Sequence, residues 1–282
     1  MQLSGCLYEH WPRRRCNACI LEMRRHASTC NDEQREMTDE SNNRREVRAG
    51  SFASVADCYE RARPGYPLAA IEWTLGSFGR VLDLGAGTGK LTRQLVALGY
   101  KTVAVEPLPE MLAELRLAVP EAEARGGRAE AIPLTDKSQD AVVAAQAFHW
   151  FDAPRALAEI ARVLRSSGRL GLLWNIARPE ADLIAQLSPL AGGLPSKPPD
   201  IAEPISDSNS FGALEEKTFL HEQLLNREEL LMLASSWSYF ASMSAPERAH
   251  RLTAVSALFD QVASDGSISF PYITYAYRTD RR

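Results

Sequence analysis

The stretch Arg80-Val-Leu-Asp-Leu-Gly-Ala-Gly-Thr-Gly-Lys90 decides how the chain reads. Residues 80–84 form a short apolar run that suits a buried strand. Residues 85–89 place three glycines in five positions, and Lys90 to Leu98 repeats apolar residues at helical spacing before Gly99. A glycine-rich turn between a strand and a helix is the setting of a nucleotide-binding loop. Its spacing excludes two relatives of that loop. A phosphate-binding P-loop needs G-x-x-x-x-G-K-[ST], whereas Gly85 and Gly89 are one residue too close and Leu91 follows Lys90. A dinucleotide fingerprint needs G-x-G-x-x-G, and Lys90 occupies the third glycine's place.

What remains is G-x-G-x-G with an acid, Asp83, two residues before the first glycine. A carboxylate there suits an amine or a backbone amide better than a pyrophosphate. Thr102-Val-Ala-Val-Glu106 reads as the next buried strand, and Glu106 at its end can accept hydrogen bonds from ribose hydroxyls. The ligand drawn by these residues carries a ribose, a base and an amine, and no phosphate.

Outward from this corner, strands and helices alternate. Helices are expected over Leu68–Leu75, Glu110–Val119 and Pro154–Arg165, and strands over Ala122–Arg128, Asp140–Ala145 and Arg169–Asn175. Alternation of this kind gives an α/β, doubly wound, mostly parallel sheet with ligands at the carboxyl ends of its strands. Residues 176–212, rich in proline, read as a loop-rich insertion with one short helix at 181–187. Beyond it follow a strand over Leu214–Leu225, helices over Arg227–Ala234 and Ala245–Val262, and a strand over Ser269–Arg278. The last strand pair is expected to be antiparallel edge material, which makes seven strands in all.

Composition sets bounds. The 282 residues are 45% hydrophobic and 24% charged, with net charge −4. No apolar run approaches the ~20 residues of a membrane helix, and the acidic body disfavours a nucleic-acid partner. Residues 1–50 differ from the rest, with nine Arg, no Lys, eight acids and four of the five cysteines. We read them as a disordered leader, or as sequence ahead of a start at Met37. A mitochondrial presequence, suggested by Arg13 to Arg15, Arg24 and Arg25 and opposed by Glu9, Glu22 and the cysteines, is the minor alternative. Cys16, Cys19, His26 and Cys30 could offer zinc four ligands, but the six-residue loop is short and little apolar sequence surrounds it, so no metal site is expected. A body with Cys58 alone suits a reducing, cytoplasmic compartment.

Five stretches together turn these readings into a resemblance. Val81 to Gly89 and Val103-Ala-Val-Glu-Pro107 resemble the first two motifs of class I S-adenosylmethionine-dependent methyltransferases. Gly127-Arg-Ala-Glu-Ala-Ile-Pro133 resembles the third, and Ala145-Gln-Ala-Phe-His-Trp-Phe-Asp152 the fourth. Tyr59-Glu-Arg-Ala-Arg-Pro-Gly-Tyr-Pro67 is similar to the N-terminal lid of the small-molecule branch that includes trans-aconitate methyltransferase-like proteins. The match covers roughly residues 52–175, fades over 176–282 and is absent from 1–50.

The resemblance implies a Rossmann-like methyltransferase domain over 51–282, with a cofactor core at 80–175 and a substrate-shaping region at 176–250. It implies S-adenosylmethionine as cofactor and a small-molecule acceptor methylated on oxygen, carboxylate or nitrogen. Asp83 would contact the loop or the methionine amine, and Gly85, Ala86 and Gly87 would pass beneath the methionine and ribose. Glu106 would hold the ribose hydroxyls, and Pro107 and Met111 would pack on the adenine that Ala129 and Glu130 flank. Gln146 would lie near the methionine, with Tyr59 and Arg63 closing over the cofactor. His149 stands at the strand edge beside Trp150; it is read either as a base or clamp for a substrate oxygen or as an inert member of an aromatic shelf. Trp237, Ser238 and Tyr239 are candidates for the acceptor pocket. The rival classes are a nicotinamide-dependent oxidoreductase and a non-catalytic cofactor-binding protein.

Overall fold

A computed structural model of the chain describes residues 63–77, 79–241 and 243–282. The expected leader and Tyr59 lie outside the described residues.

Among the described residues, seven strands form one sheet in the order β3-β2-β1-β4-β5-β7-β6. These are β1 Arg80–Leu84, β2 Lys101–Glu106, β3 Glu123–Gly126, β4 Gln139–Ala145, β5 Leu164–Ala177, β6 Glu215–Leu225 and β7 Ile268–Asp280. β1 to β5 pair in parallel. β7 runs antiparallel to both β5 and β6, so the terminal strand inserts between its predecessors. The chain leaves β1 toward β2 and β3, then returns to β4 on β1's other side. This reversal opens a crevice at the carboxyl ends of β1 and β4.

Helices cross over on both faces. They are α1 Leu68–Leu75, α2 Lys90–Ala97, α3 Pro109–Ala118, α4 Ala153–Val163, α5 Asp182–Leu190, α6 Ala202–Asp207, α7 Arg227–Ser235, α8 Ser238–Ala241 and α9 Ala245–Val262. On one face Leu157, Ile160 and Val163 of α4 pack with Leu82, Val142 and Leu172 of the sheet. On the other, Ile71 of α1 and Leu91 and Leu95 of α2 pack with Val81, Val143 and Leu173. A third cluster joins α5, α7 and α9 to Phe270 and Tyr272 of β7. Each of these apolar side chains stabilises the fold by roughly 1.5–3 kcal/mol when fully buried.

The expected elements appear, with three corrections. The stretch read as loop carries a second helix, α6, and α5 runs on through Pro189 to Leu190. β5 begins five residues early because Leu164 already pairs with Gln139, and the Ser167-Gly168 turn becomes an irregularity within it. α4 consequently ends at Val163, two residues short of expectation.

Candidate active site

The carboxyl ends of β1, β2 and β4 open into a cavity of about 350 Å³. Its floor is the glycine corner. The amides of Gly85 and Ala86 both donate to the Val105 carbonyl of β2, at 2.8 and 3.2 Å, and that of Gly89 donates to Ala86 O. The Gly87 amide donates to Glu106 Oε2 at 2.9 Å, while Leu108 N donates to Oε1 at 3.0 Å. Four amides of the corner are thus spent on the protein's own oxygens. A pyrophosphate would need such amides free, so the corner suits a ligand without phosphate.

Two glycines serve different neighbours. Gly85 (φ +74°) faces the turn after β4, and a Cβ there would lie 2.7 Å from that of Ala147. Gly87 (φ +58°) has nothing within 4 Å of its Cβ direction. The first glycine fits the protein to itself, and the second leaves the cavity space clear.

Glu106 is 4% exposed and Asp83 1%. Each Glu106 oxygen uses one lone pair on an amide and retains acceptor capacity for a ribose hydroxyl. Burial pushes its pKa up, and the two amides pull it partly back. Asp83 accepts from Thr92 Oγ1 at 2.6 Å. Burial pushes its pKa up to about 7, with the Glu106 charge adding to the rise and Thr92 opposing it.

The other wall begins after β4. Gln146 adopts φ +55°, a left-handed conformation that costs a non-glycine residue about 1–2 kcal/mol. Its amide donates to Leu173 O, and its side chain donates to Asn175 O at 2.7 Å. These two bonds hold the bend that swings the chain into the 3-10 turn Phe148–Trp150. His149 opens onto the cavity, so its surface is accessible although protein surrounds most of the ring. That surrounding protein penalises the imidazolium and lowers its pKa to about 4.

The structure gathers most of the expected site residues around the cavity. Arg63, Asp83, Gly85, Ala86, Gly87, Glu106, Pro107, Met111, Gln146 and His149 all line it. Ala129 and Glu130 do not. Ala129 is buried in the core with Val105 and Ile132. Glu130 accepts from the Asp152 amide at 2.8 Å, pinning the start of α4. The turn after β3 thus faces the sheet and α4 rather than the cavity. Arg63 is held by Ser236 at the end of α7, through Nε to Oγ at 2.9 Å and Nη2 to the carbonyl at 3.0 Å. Trp237 and Tyr239 line the far end, as do Phe270 and Tyr272. The last two are not among the residues expected from sequence, because the i, i+2 alternation that puts them on one face of β7 is that of any half-buried strand. Among the described residues no helix is long and apolar enough to cross a membrane, and no cluster of acids, histidines and cysteines could hold a metal.

Comparison with known proteins agrees with this geometry. Residues 82–172 match the family model described as a methyltransferase domain. An uncharacterized methyltransferase of Mycobacterium tuberculosis is 41% identical over 234 residues, covering 81% of this chain and 94% of its own length. An uncharacterized methyltransferase-like protein of Schizosaccharomyces pombe is 35% identical over 240 residues, with 80% and 93% covered. Among solved structures, a protein of Anaeromyxobacter dehalogenans provisionally named a type II methyltransferase shares the fold. It has a TM-score of 0.59 at 24% identity, with 78% of this chain and 97% of that one covered. With a corner built for a phosphate-free ligand and homology along four-fifths of its length, the chain belongs to the S-adenosylmethionine-dependent methyltransferases.

Proposed function

We propose that this enzyme transfers a methyl group to a small-molecule acceptor on oxygen, carboxylate or nitrogen. The observation that carries the reading is the division of one cavity into two unlike ends. Asp83 and Glu106, the two cavity carboxylates, end β1 and β2 beside the glycine corner; across β4 and β5 the cavity is lined by Phe270 and Tyr272 of β7, clustered with Trp237, and by Tyr239. A concave pocket of this size, mostly apolar with a few polar groups, suits a small ligand. The resemblance of Tyr59–Pro67 and Ala145–Asp152 to the small-molecule branch supports the same reading.

In this assignment Glu106 holds the ribose hydroxyls, Asp83 faces the amine, and Pro107 and Met111 offer an apolar shelf to the adenine. When bound, S-adenosylmethionine supplies a methyl group already activated on a sulfonium. The protein's part is then alignment and exclusion of water, with His149 the polar group beside the acceptor.

Calorimetry with S-adenosylhomocysteine and NADH, followed by transfer of labelled methyl to small acids, phenols and amines, tests the reading. Expected are binding of the first ligand alone and a labelled small product. Label appearing in protein or RNA from a cell extract, with none in the small-molecule fraction, would overturn the acceptor class.

A further inference from the structure

Methyl transfer as assigned above leaves one relation in the cavity wall unused. Trp174 of β5 is 1% exposed. It is packed edge-on against Tyr277 with centroids 5.9 Å apart, and tilted against His149 at 6.4 Å. Its indole nitrogen is a donor only, and it reaches His149 Nδ1 at 3.4 Å. A ring nitrogen that accepts from an indole carries no proton itself, so the neutral ring holds its one proton on Nε2. The opposite tautomer would set N–H against N–H and strand a buried donor. Trp150, its centroid 4.9 Å away, flanks the same ring.

We infer that Trp174 fixes His149 as a neutral Nε2–H donor, so that the acceptor taken here brings an oxygen already ionised when it binds, that of a carboxylic acid. A base needs a bare lone pair facing the substrate, and this arrangement turns the bare one toward Trp174. The low basicity of the ring agrees. Besides His149, the titratable groups that line the cavity are Arg63, Tyr66, Asp83, Lys90, Glu106, Tyr239 and Tyr272. Both carboxylates among them lie at the cofactor end, bonded to Thr92, Gly87 and Leu108. Neither is left at the acceptor end to take a proton or to pair with an ammonium.

The step then balances without a base. A carboxylate lone pair forms the new O–C bond, the C–S bond breaks, and its electron pair stays on sulfur. Anion and sulfonium become a neutral ester and a neutral thioether, and no proton is released. Nε2–H holds the acid's other oxygen, so Trp174 is a positioning residue that acts through His149.

The acceptor class rests on the methyl-transfer reading, but the tautomer does not, and the two are measured separately. Long-range ¹H–¹⁵N correlation on the full chain with S-adenosylhomocysteine, His149 assigned by comparison with H149Q, reads the ring directly. Expected is bare Nδ1 and protonated Nε2, unchanged from pH 8 to 5.5. In W174F the two tautomers mix and the midpoint climbs toward the ordinary value near 6.5. An Nδ1–H tautomer or an imidazolium at pH 7, or a W174F spectrum like the parent's, overturns the lock. Methyl transfer at saturating S-adenosylmethionine, which holds Asp83 in one state, tests the acceptor between pH 6 and 9. Expected is esterification of carboxylic acids at a rate flat with pH, with H149Q lowering kcat/KM about tenfold and leaving the profile flat. Turnover of phenols or amines alone, a tenfold fall per pH unit that H149Q removes, or no turnover of any acid overturns the acceptor assignment.

Discussion

At the end of the cavity we assign to the cofactor, Asp83, Gly85, Gly87 and Glu106 lie within one βαβ unit, held by backbone amides and by two carboxylates bonded to Thr92, Gly87 and Leu108. At the end we assign to the acceptor, His149, Tyr239 and Tyr272 come from three separate parts of the chain. Arg63, read as a cofactor contact, is itself tied to Ser236, 173 residues away. The first end is fixed by hydrogen bonds within β1, the corner and β2. The second exists only once α5, α7 and β7 have packed on one another. On this assignment the acceptor can change while the cofactor stays, because the two ends share a cavity without sharing their supports.

If that separation is real, Glu106→Ala should have the largest effect, and on cofactor alone. It removes the ribose acceptor and strands the Gly87 and Leu108 amides. At about 1.5–3 kcal/mol for a hydrogen bond to a charged group, losing two ribose contacts weakens binding by at least about 100-fold. Titration calorimetry with S-adenosylhomocysteine measures it; affinity within threefold of the parent would move the ribose elsewhere.

Within the cofactor end, the two glycines should part company. Gly87→Ala adds a methyl where no protein atom stands. It should cost at least about tenfold in cofactor affinity, with about 1–2 kcal/mol of left-handed strain in the fold. Gly85→Ala drives its Cβ against Ala147, and the harm should fall on stability instead, about 1–3 kcal/mol of overpacking plus the same strain. Melting temperatures and binding constants of the pair decide it. If both lose only stability, the space beside Gly87 is not ligand space.

The same division explains what the sequence alone could reveal. β1, the corner and β2 are contiguous, and their chemistry is carried by residue type at fixed spacing, so Asp83, Gly87 and Glu106 could be named before any fold was known. Ala129 and Glu130 follow from motif position alone; in the fold Ala129 packs in the core and Glu130 bonds the start of α4, tertiary contacts that no local spacing encodes. Phe270 and Tyr272 sit in an ordinary alternating strand, and nothing local distinguishes a cavity wall from a core. α6 lies in a proline-rich stretch and is held by Ile205, buried against α4's cluster; tertiary packing overrode local propensity there. Gln146 at φ +55° bends the chain toward His149 through two bonds to β5, and only the paired strands reveal it.

A variant at the far end probes the separation from the other side. Tyr239 is 41% exposed and lines the cavity, so Tyr239→Ala should change stability by no more than about 1 kcal/mol. Acceptor KM should rise about three- to tenfold while cofactor affinity stays put. Steady-state kinetics against both ligands distinguishes the outcomes, and a matching loss of cofactor affinity would mean the two ends are coupled after all.

The smallest effect expected concerns Asp83. Its folded pKa, near 7, lies above the ordinary carboxylate value of 3.8. The folded chain therefore holds this proton more tightly than the unfolded chain, and the group's contribution to stability is greatest below pH 4 and lost as pH climbs through 7. Asp83→Asn keeps an acceptor for Thr92 and carries no charge to bury. Relative to the parent, its melting temperature should rise between pH 5 and pH 8, by about 2–4 °C for each kcal/mol of penalty removed, while its affinity for the amine-bearing cofactor falls. Such opposite movements would identify Asp83 as a group whose burial is tolerated for the ligand's sake. A parallel pH course for the two proteins would instead make it a plain packing partner of Thr92, and the amine contact would have to come from elsewhere in the corner.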